Sequence, residues 1–325
     1  MKTTSRIVLL VCFTFLLSLS ISSAEEADRF QGKLGVGVMV INSGNNLNPK
    51  SSGKYLDSLS EAADKTTAIR ALILPQLSYD IGESRALRLY LGTKPPIDEA
   101  GSFGLNIGGK YTISNIGIID LSAFFTPFQE AWENPYVIGQ AREETDTTKQ
   151  GMRLAFNKIM NTGLRLNMVL MEDDVDVDRI GEITPELARD GFVFAFNANY
   201  SFYISKFFEV RPRFSYKIGD YDGESNSFSK VKFDLEARYT ILEWRLTIIP
   251  RLFYSRSEYD EINPIYAETR EDNGYGANIL LNYSAPFGYK DWSLQGLLGV
   301  SKGDSNITFY DTEAINTGVF AVYKF

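Results

Sequence analysis

The sequence predicts an all-β protein, an up-and-down antiparallel transmembrane β-barrel of about fourteen strands, with twelve and sixteen as the alternatives. Three observations carry that prediction. Segments of period two recur from residue 30 to residue 325, and a period of two puts alternate side chains on opposite faces of a strand. The connections alternate between short turns and longer polar loops, as an outer-membrane barrel requires. The last strand alternates up to the final residue, Phe325.

The chain opens with Lys2 and Arg6, an apolar run from Ile7 to Leu19, and the small residues Ser22-Ser23-Ala24 before Glu25. This pattern reads as a cleaved secretory signal peptide over 1–24. The run is too short to span a bilayer, which takes about 20 residues. Cys12, the one cysteine, lies inside it, with Val11 where a lipoprotein signal needs a small residue. The expected mature chain, 25–325, therefore has no thiol chemistry. It contains no linker-like run of Pro, Ser or Gly, so it reads as one barrel domain.

Strands are expected near 30–42, 67–80, 84–94, 101–113, 116–128, 150–160, 162–173, 190–204, 206–219, 227–241, 243–257, 273–285, 290–302 and 313–325. Short turns fall at Ile81-Gly82-Glu83, Ser114-Asn115, Asn161, Ser205 and Leu242. The longer connections are 43–66, 129–149, 174–189, 220–226, 258–272 and 303–312, with 95–100 the short exception. An even strand count puts both termini on the short-turn side.

The stretch Val231 to Tyr239 sets the faces. Val231, Phe233, Leu235, Ala237 and Tyr239 form one set, and Lys232, Asp234, Glu236 and Arg238 the other. Strand eight repeats the pattern with Phe192, Phe194, Phe196, Ala198, Tyr200 and Phe202, strand seven with Leu164, Leu166, Met168 and Leu170, and strand eleven with Trp244, Leu246, Ile248 and Leu252. Fourteen such faces exceed what one soluble core needs, so lipid is their expected solvent and the charges line the interior. A closed barrel also pairs every backbone group, which hydrocarbon demands. The 22 Phe and 18 Tyr suit a chain that covers two membrane interfaces. Pro75, Pro212 and Pro250 fall inside strands, where each forfeits a ladder hydrogen bond; they mark bulges or misplaced boundaries. At the end of the chain, Tyr323 and Phe325 resemble the signal by which the barrel-assembly machinery recognises its clients.

Glu186-Leu187-Ala188-Arg189-Asp190-Gly191, the glycine-rich first strand at Gly32, Gly35 and Gly37, and Tyr90-Leu91-Gly92 resemble a family of gammaproteobacterial outer-membrane barrels known only as a domain of unknown function. The hexapeptide fits its E-L-x-R-[DN]-G pattern before a mid-chain strand. The resemblance covers most of the mature chain. It implies a barrel in the Gram-negative outer membrane, surrounded by lipid and lipopolysaccharide, and implies no mechanism.

The inward positions supply the main candidate site. Lys33, Arg70, Arg88, Lys110, Arg153, Arg165, Arg211, Arg213, Lys217, Lys230, Lys232, Arg238, Arg245 and Arg251 share the faces of Asp120, Glu209, Asp234 and Glu236. Fourteen bases against four acids make a positive lumen in a chain of net charge −8. Such a lining raises the local concentration of anions. The net charge itself argues against a nucleic-acid partner. The expected function is a passive, porin-like channel for small, preferentially anionic solutes. The alternative is a non-conducting structural or adhesive barrel whose loops bind a surface partner, with the arginines locked in ladders.

Two loops carry lesser signals. Asp174, Asp176 and Asp178 alternate onto one side and form a candidate calcium site or a divalent-ion bridge to lipopolysaccharide, although the glycine and the terminal Glu of a known calcium loop are missing. The alternative is a solvated acidic loop. Leu56, Leu59 and Ala63 have helical spacing, which fits either a short helix folded into the mouth or a capping turn on the surface. No enzyme is expected. Histidine is absent, which removes Ser-His and Asp-His chemistry, and no spacing singles out a carboxylate pair.

Overall fold

The computed structural model describes residues 29–93 and 104–325; the expected signal peptide, the 95–100 connection and the start of the expected fourth strand lie outside them. The fold is a closed antiparallel barrel of fourteen strands. In chain order these are β1 Phe30–Gly44, β2 Thr66–Ile81, β3 Leu87–Gly92, β4 Leu105–Ile113, β5 Gly117–Trp132, β6 Glu144–Asn157, β7 Leu164–Val175, β8 Gly191–Tyr200, β9 Phe208–Tyr221, β10 Phe228–Ile241, β11 Leu246–Asn263, β12 Glu268–Ser284, β13 Trp292–Ser305 and β14 Thr312–Lys324. A two-residue continuation of β8, Phe202–Tyr203, also pairs with β9. Each strand pairs with its sequence neighbours, and β14 closes the ring on β1 from Lys33↔Lys324 to Gly44↔Glu313.

The apolar set faces outward throughout. Val36, Ile69, Ile73, Ile107, Leu121, Met152, Leu170, Phe194, Leu235, Leu252, Leu298 and Val319 are all exposed, while Asp80, Asp120, Asn106, Ser122 and Asp234 on the opposite parity are buried. A belt of large apolar side chains with polar groups turned inward suits hydrocarbon outside and water inside. Toward the short-turn end the belt becomes aromatic, with Tyr111, Tyr203, Tyr239, Trp244, Tyr283, Trp292 and Tyr323 exposed. Toward the other end it gives way to outward ion pairs, Arg256 with Glu258 and Glu271, and Lys302 with Asp304.

Each of the three strand prolines sits on the lipid face and interrupts one ladder. The β8–β9 pairs stop at Arg213↔Asn199 and resume at Val210↔Phe202, with Pro212 in the gap. The β10–β11 pairs jump from Glu236↔Arg251 to Tyr239↔Ile248 across Pro250. The β2–β3 pairs end at Gln76↔Gly92, next to Pro75. Register passes through both interior gaps unchanged, so the prolines delete bonds without adding bulges.

The glycines of β1 make room for rings of β14. A Cβ on Gly32 would fall within the Phe325 ring, and one on Gly37 within the Phe320 ring. Phe325 also packs on Phe30 and Tyr323, at ring distances of 6.2 and 5.9 Å. Aromatic cover of glycine is a known way to fix strand register.

Several sequence expectations need correction. The connection expected at 258–272 is a turn between Asn263 and Glu268, because β11 and β12 run on past the apolar belt with a register shift between Glu258 and Ile262. Likewise β5 extends to Trp132 and β6 begins at Glu144, across a shift between Thr126 and Gln129. Trp244 and Arg245 lie in the turn between β10 and β11, where Arg245 has φ 51°. No α-helix forms over 54–63. Tyr55 instead bridges to Ala141, and Leu56 and Lys54 accept backbone bonds from Gly139 and Arg142.

Candidate functional site: the inner wall and its cap

On the wall of β2–β6, Arg88 is paired with Asp80 at 2.5 Å. Asp120 is shared by Lys110 at 3.7 Å and Arg153 at 3.5 Å, and it accepts a 2.5 Å bond from the Tyr90 hydroxyl. Lys149 meets Asp173 at 2.6 Å, and the Tyr221 hydroxyl donates to the same carboxylate. Beside them the inner face turns apolar. Phe124, Val169, Met171, Val193 and Ala195 pack with Tyr221, and Val169 and Met171 are each 1% exposed. These side chains form a packed apolar cluster on the inner wall.

On the wall of β8–β12, register sets out the inward positions row by row. Nearest the short turns, Glu209 stands opposite Arg238. In the next row Ser201 faces Arg211, then Glu236, then Arg251. Arg211 bonds Glu209 at 2.6 Å, Glu236 at 2.9 Å and the Ser201 hydroxyl at 3.2 Å. Arg213 stands opposite Asp234, which accepts from Arg251 at 2.5 Å and has Lys232 at 3.7 Å. Above that the pattern changes: Ser215 stands opposite Lys232, and Lys217 directly opposite Lys230.

Of the fourteen expected bases, thirteen occupy inward parity, with Lys33, Arg70 and Arg165 on β1, β2 and β7 away from the clusters above. Arg245 does not: it sits in a short turn and donates to the Ala285 carbonyl at 3.2 Å. The expected four inward acids are joined by Asp80, Asp173 and Asp272, so the lumen is less one-sided than fourteen to four. Lys149 and Arg270 also stand inward, paired with Asp173 and Asp272. All of these lie at strand ends or beyond the apolar belt; carrying the period-two parity past the last apolar residue would have found them.

The long loops fold over the mouth. Leu56, Ile307, Phe309 and Tyr310 form a buried cluster with Leu47, Leu59, Tyr136 and Tyr266 packed on it. The Tyr136 and Tyr310 hydroxyls are 2.6 Å apart, and Asn263 donates to Tyr310 at 2.7 Å. Below them Arg270 lies under the Tyr310 ring at 3.7 Å and the Tyr259 ring at 4.5 Å while bonding Asp272. Arg142, 1% exposed, stacks on Trp132 at 4.3 Å. It donates to the carbonyls of Asn46, Pro135 and Gly53 and to the Ser52 hydroxyl. Burial lowers its pKa to about 10 and leaves it charged at neutral pH. Burial also raises the pKa values of Tyr136, Tyr266 and Tyr310.

The hexapeptide is a clasp between loops. Arg189 bonds Asp178 at 2.6 Å and the carbonyls of Trp132 and Glu133 at 2.8 and 3.0 Å. Leu187 is 1% exposed, and Asn226 donates to the carbonyls of Leu187 and Ala188. Asp190 accepts from the Val175 amide; burial first, then the carboxylates of Asp174, Asp178 and Asp222, raise its pKa. Asp178 is thus committed to Arg189 and to capping the helical turn α1, Arg179–Ile183. Asp174 and Asp176 are exposed, and no three potential ligands converge on a metal position among the described residues.

Solved structures of similar architecture include the outer-membrane channel DcaP of Acinetobacter baumannii (11% identity, 91% of this chain and 96% of that one, TM-score 0.45). Others are OmpT of Vibrio cholerae (8%, 91% and 97%, 0.44) and an anion-selective porin from Comamonas acidovorans (11%, 91% and 98%, 0.43). No curated protein matches the chain in sequence. A family match spans residues 30–322, nearly the whole barrel, and the chain belongs to that family, described as a protein of unknown function (DUF2860).

Proposed function

We propose that this barrel is a passive channel of the Gram-negative outer membrane for small, preferentially anionic solutes, exported by its signal peptide and inserted through the assembly machinery. The observation that carries the reading is the inner wall as a whole, where thirteen of the expected bases, joined by Lys149 and Arg270, stand inward against the seven acids named above. In a tube bounded by low-dielectric walls, such an excess raises anion occupancy and opposes cations. Planar-bilayer recordings of refolded protein in a salt gradient test it. Reversal potentials should show anion preference that weakens at high salt, where the screening length falls to about 3 Å at 1 M. Arg211, Arg213 and Lys232 changed together to Gln should move selectivity toward neutrality. Cation preference in the wild type would mean that the acidic loops set the field.

The aromatic cap favours a second reading. With Phe309 at 0% exposure and Arg142 pinned by carbonyls, the loops form a packed layer across the mouth. A folded wild type that conducts nothing, even with Arg142 changed to Ala to loosen that layer, would favour a structural or adhesive barrel.

A further inference from the structure

We infer that the inner wall from β12 across the seam to β2 is a binding stripe for an amphiphilic monoanion, a carboxylate carried on a short alkyl or aromatic body. Leu280, Leu297, Met39, Phe320 and Leu72 take the hydrocarbon, and Arg70 takes the carboxylate. The assignment rests on the channel reading and names the solute class that the channel would select.

Register assembles the stripe one residue per strand. An inward row runs Ile249, Leu280, Leu297, Gly318, Met39, Arg70 from β11 to β2. The next row toward the short turns runs Asn282, Gln295, Phe320, Gly37, Leu72. Neither row holds a carboxylate. Gly318 lets the neighbouring side chains close over it: a Cβ there would stand 3.0 Å from the Phe320 ring and 3.2 Å from Met39. Amides border the apolar residues. Asn278 and Asn316 lie in the row above, and Gln295 below donates to Asn282 at 3.1 Å. From Leu280 to Met39 the stripe crosses three interstrand spacings, about 14 Å.

An apolar row on the inner face is out of place in a water-filled barrel, whose interior is polar. On β5, β7 and β8 the inward apolar side chains settle this by packing on one another, and Val169 and Met171 are left 1% exposed. The seam stripe does not close up in that way. Leu280, Leu297, Met39 and Leu72 stay half-buried, and among the described residues none of them joins a buried cluster. Hydrocarbon laid along them would take the remaining apolar surface out of water, with a gain in proportion to the area covered. Arg70 follows Met39 on the same row and is exposed, and a guanidinium holds a carboxylate by two parallel bonds. A bare inorganic anion would use the arginine and gain nothing from the stripe. A sugar would lay hydroxyls against Leu and Met, where they find no partner.

The test uses full-length refolded barrel and the series acetate, butyrate, hexanoate. In bilayers each should block chloride current saturably, with the half-blocking concentration falling about twofold per added methylene, because the tail stays half in water. Leu297→Ser should flatten the series, weakening hexanoate about fivefold relative to acetate. Leu297→Ala, a milder change, should flatten it less. Arg70→Gln should weaken hexanoate about tenfold relative to neutral hexanamide. Heat-modifiable gel migration confirms folding of each variant. Saturation-transfer NMR on the barrel in nanodiscs, with empty nanodiscs as reference, reads binding where no current flows. Binding that strengthens with chain length but without any current would end the channel reading and keep the site. Anion-selective current blocked equally by all three acids would end the site and keep the channel. A chain-length dependence that survives intact in Leu297→Ser would place the hydrocarbon elsewhere and overturn the stripe. Equal weakening of hexanoate and hexanamide by Arg70→Gln would overturn the pairing of the carboxylate with that arginine.

Discussion

The lower and upper parts of one wall, built by the same two strands, differ in charge design. Near the short turns, β9 and β10 interleave signs: Arg211 lies between Glu209 and Glu236, and Asp234 between Lys232 and Arg251. Two rows higher, Lys217 and Lys230 meet head-on. The first arrangement satisfies its own charges and holds strands together. The second sets two like charges side by side on the wall. Adjacent stretches of one wall thus differ in how regularly their signs alternate.

The contrast breaks most visibly at Arg211. Changing it to Met strands Glu209 and Glu236 in a half-buried wall, which should cost about 3–5 kcal/mol, read from urea unfolding in lipid vesicles. An equal change at Lys230 should cost nothing. If the two substitutions cost the same, the rows are not different in kind.

The next test reverses the faces. Leu235, 51% exposed on the outer side of the same strand, changed to Arg should cost about 2–4 kcal/mol near the midplane. Lys232 changed to Met should cost far less, and equal penalties would put the wrong face toward lipid.

A smaller effect has the opposite sign. Lys230→Met removes a like-charge neighbour and should raise stability by up to about 1 kcal/mol at low salt. The smallest effect sharpens this: added salt should stabilise the wild type by a fraction of that amount through screening and leave Lys230→Met unmoved. A salt response shared by both proteins would assign it to the acidic loops.

Much of the barrel was legible because lipid writes period two in large letters. Phe233, Leu235 and Tyr239 against Lys232, Asp234 and Glu236 fix strand and face at once, and the strand count followed. What could not be read lies where lipid ends. From Glu258 to Asn263 and from Glu268 to Asp272 the ladder continues, yet charged residues fall on both faces, so the apolar signal stops while the backbone pairing does not. Val169, Met171, Val193 and Ala195 hid for the converse reason: β7 and β8 are apolar on both faces, and sequence alone does not show that the inward set packs into a cluster. The meeting of Lys217 and Lys230 was half legible. Both residues and their strands were in view, but their opposition depends on register, which a slip of one residue would erase. The hexapeptide's role depended on loop contacts with Trp132, Glu133 and Asn226, which no local pattern encodes.

The seam between β1 and β14 has a consequence in time. Gly32 and Phe325 exchange backbone bonds of 2.7 and 3.1 Å across about 290 residues of chain. Loop-closure entropy grows with the logarithm of length, about 0.6 kcal/mol per doubling, so this closure costs only roughly 3 kcal/mol more than that of a ten-residue loop. Its burden is kinetic, since pairings of such sequence separation form slowly. Until the last strand arrives, β1 offers glycines where a strand would have side chains, and its edge stays unpaired. The barrel should therefore seal last where its chain begins. In refolding followed by pulsed hydrogen exchange, the amides of Gly32 to Val38 should gain protection after those of β5 to β8, and simultaneous protection would show that the ring closes as one event.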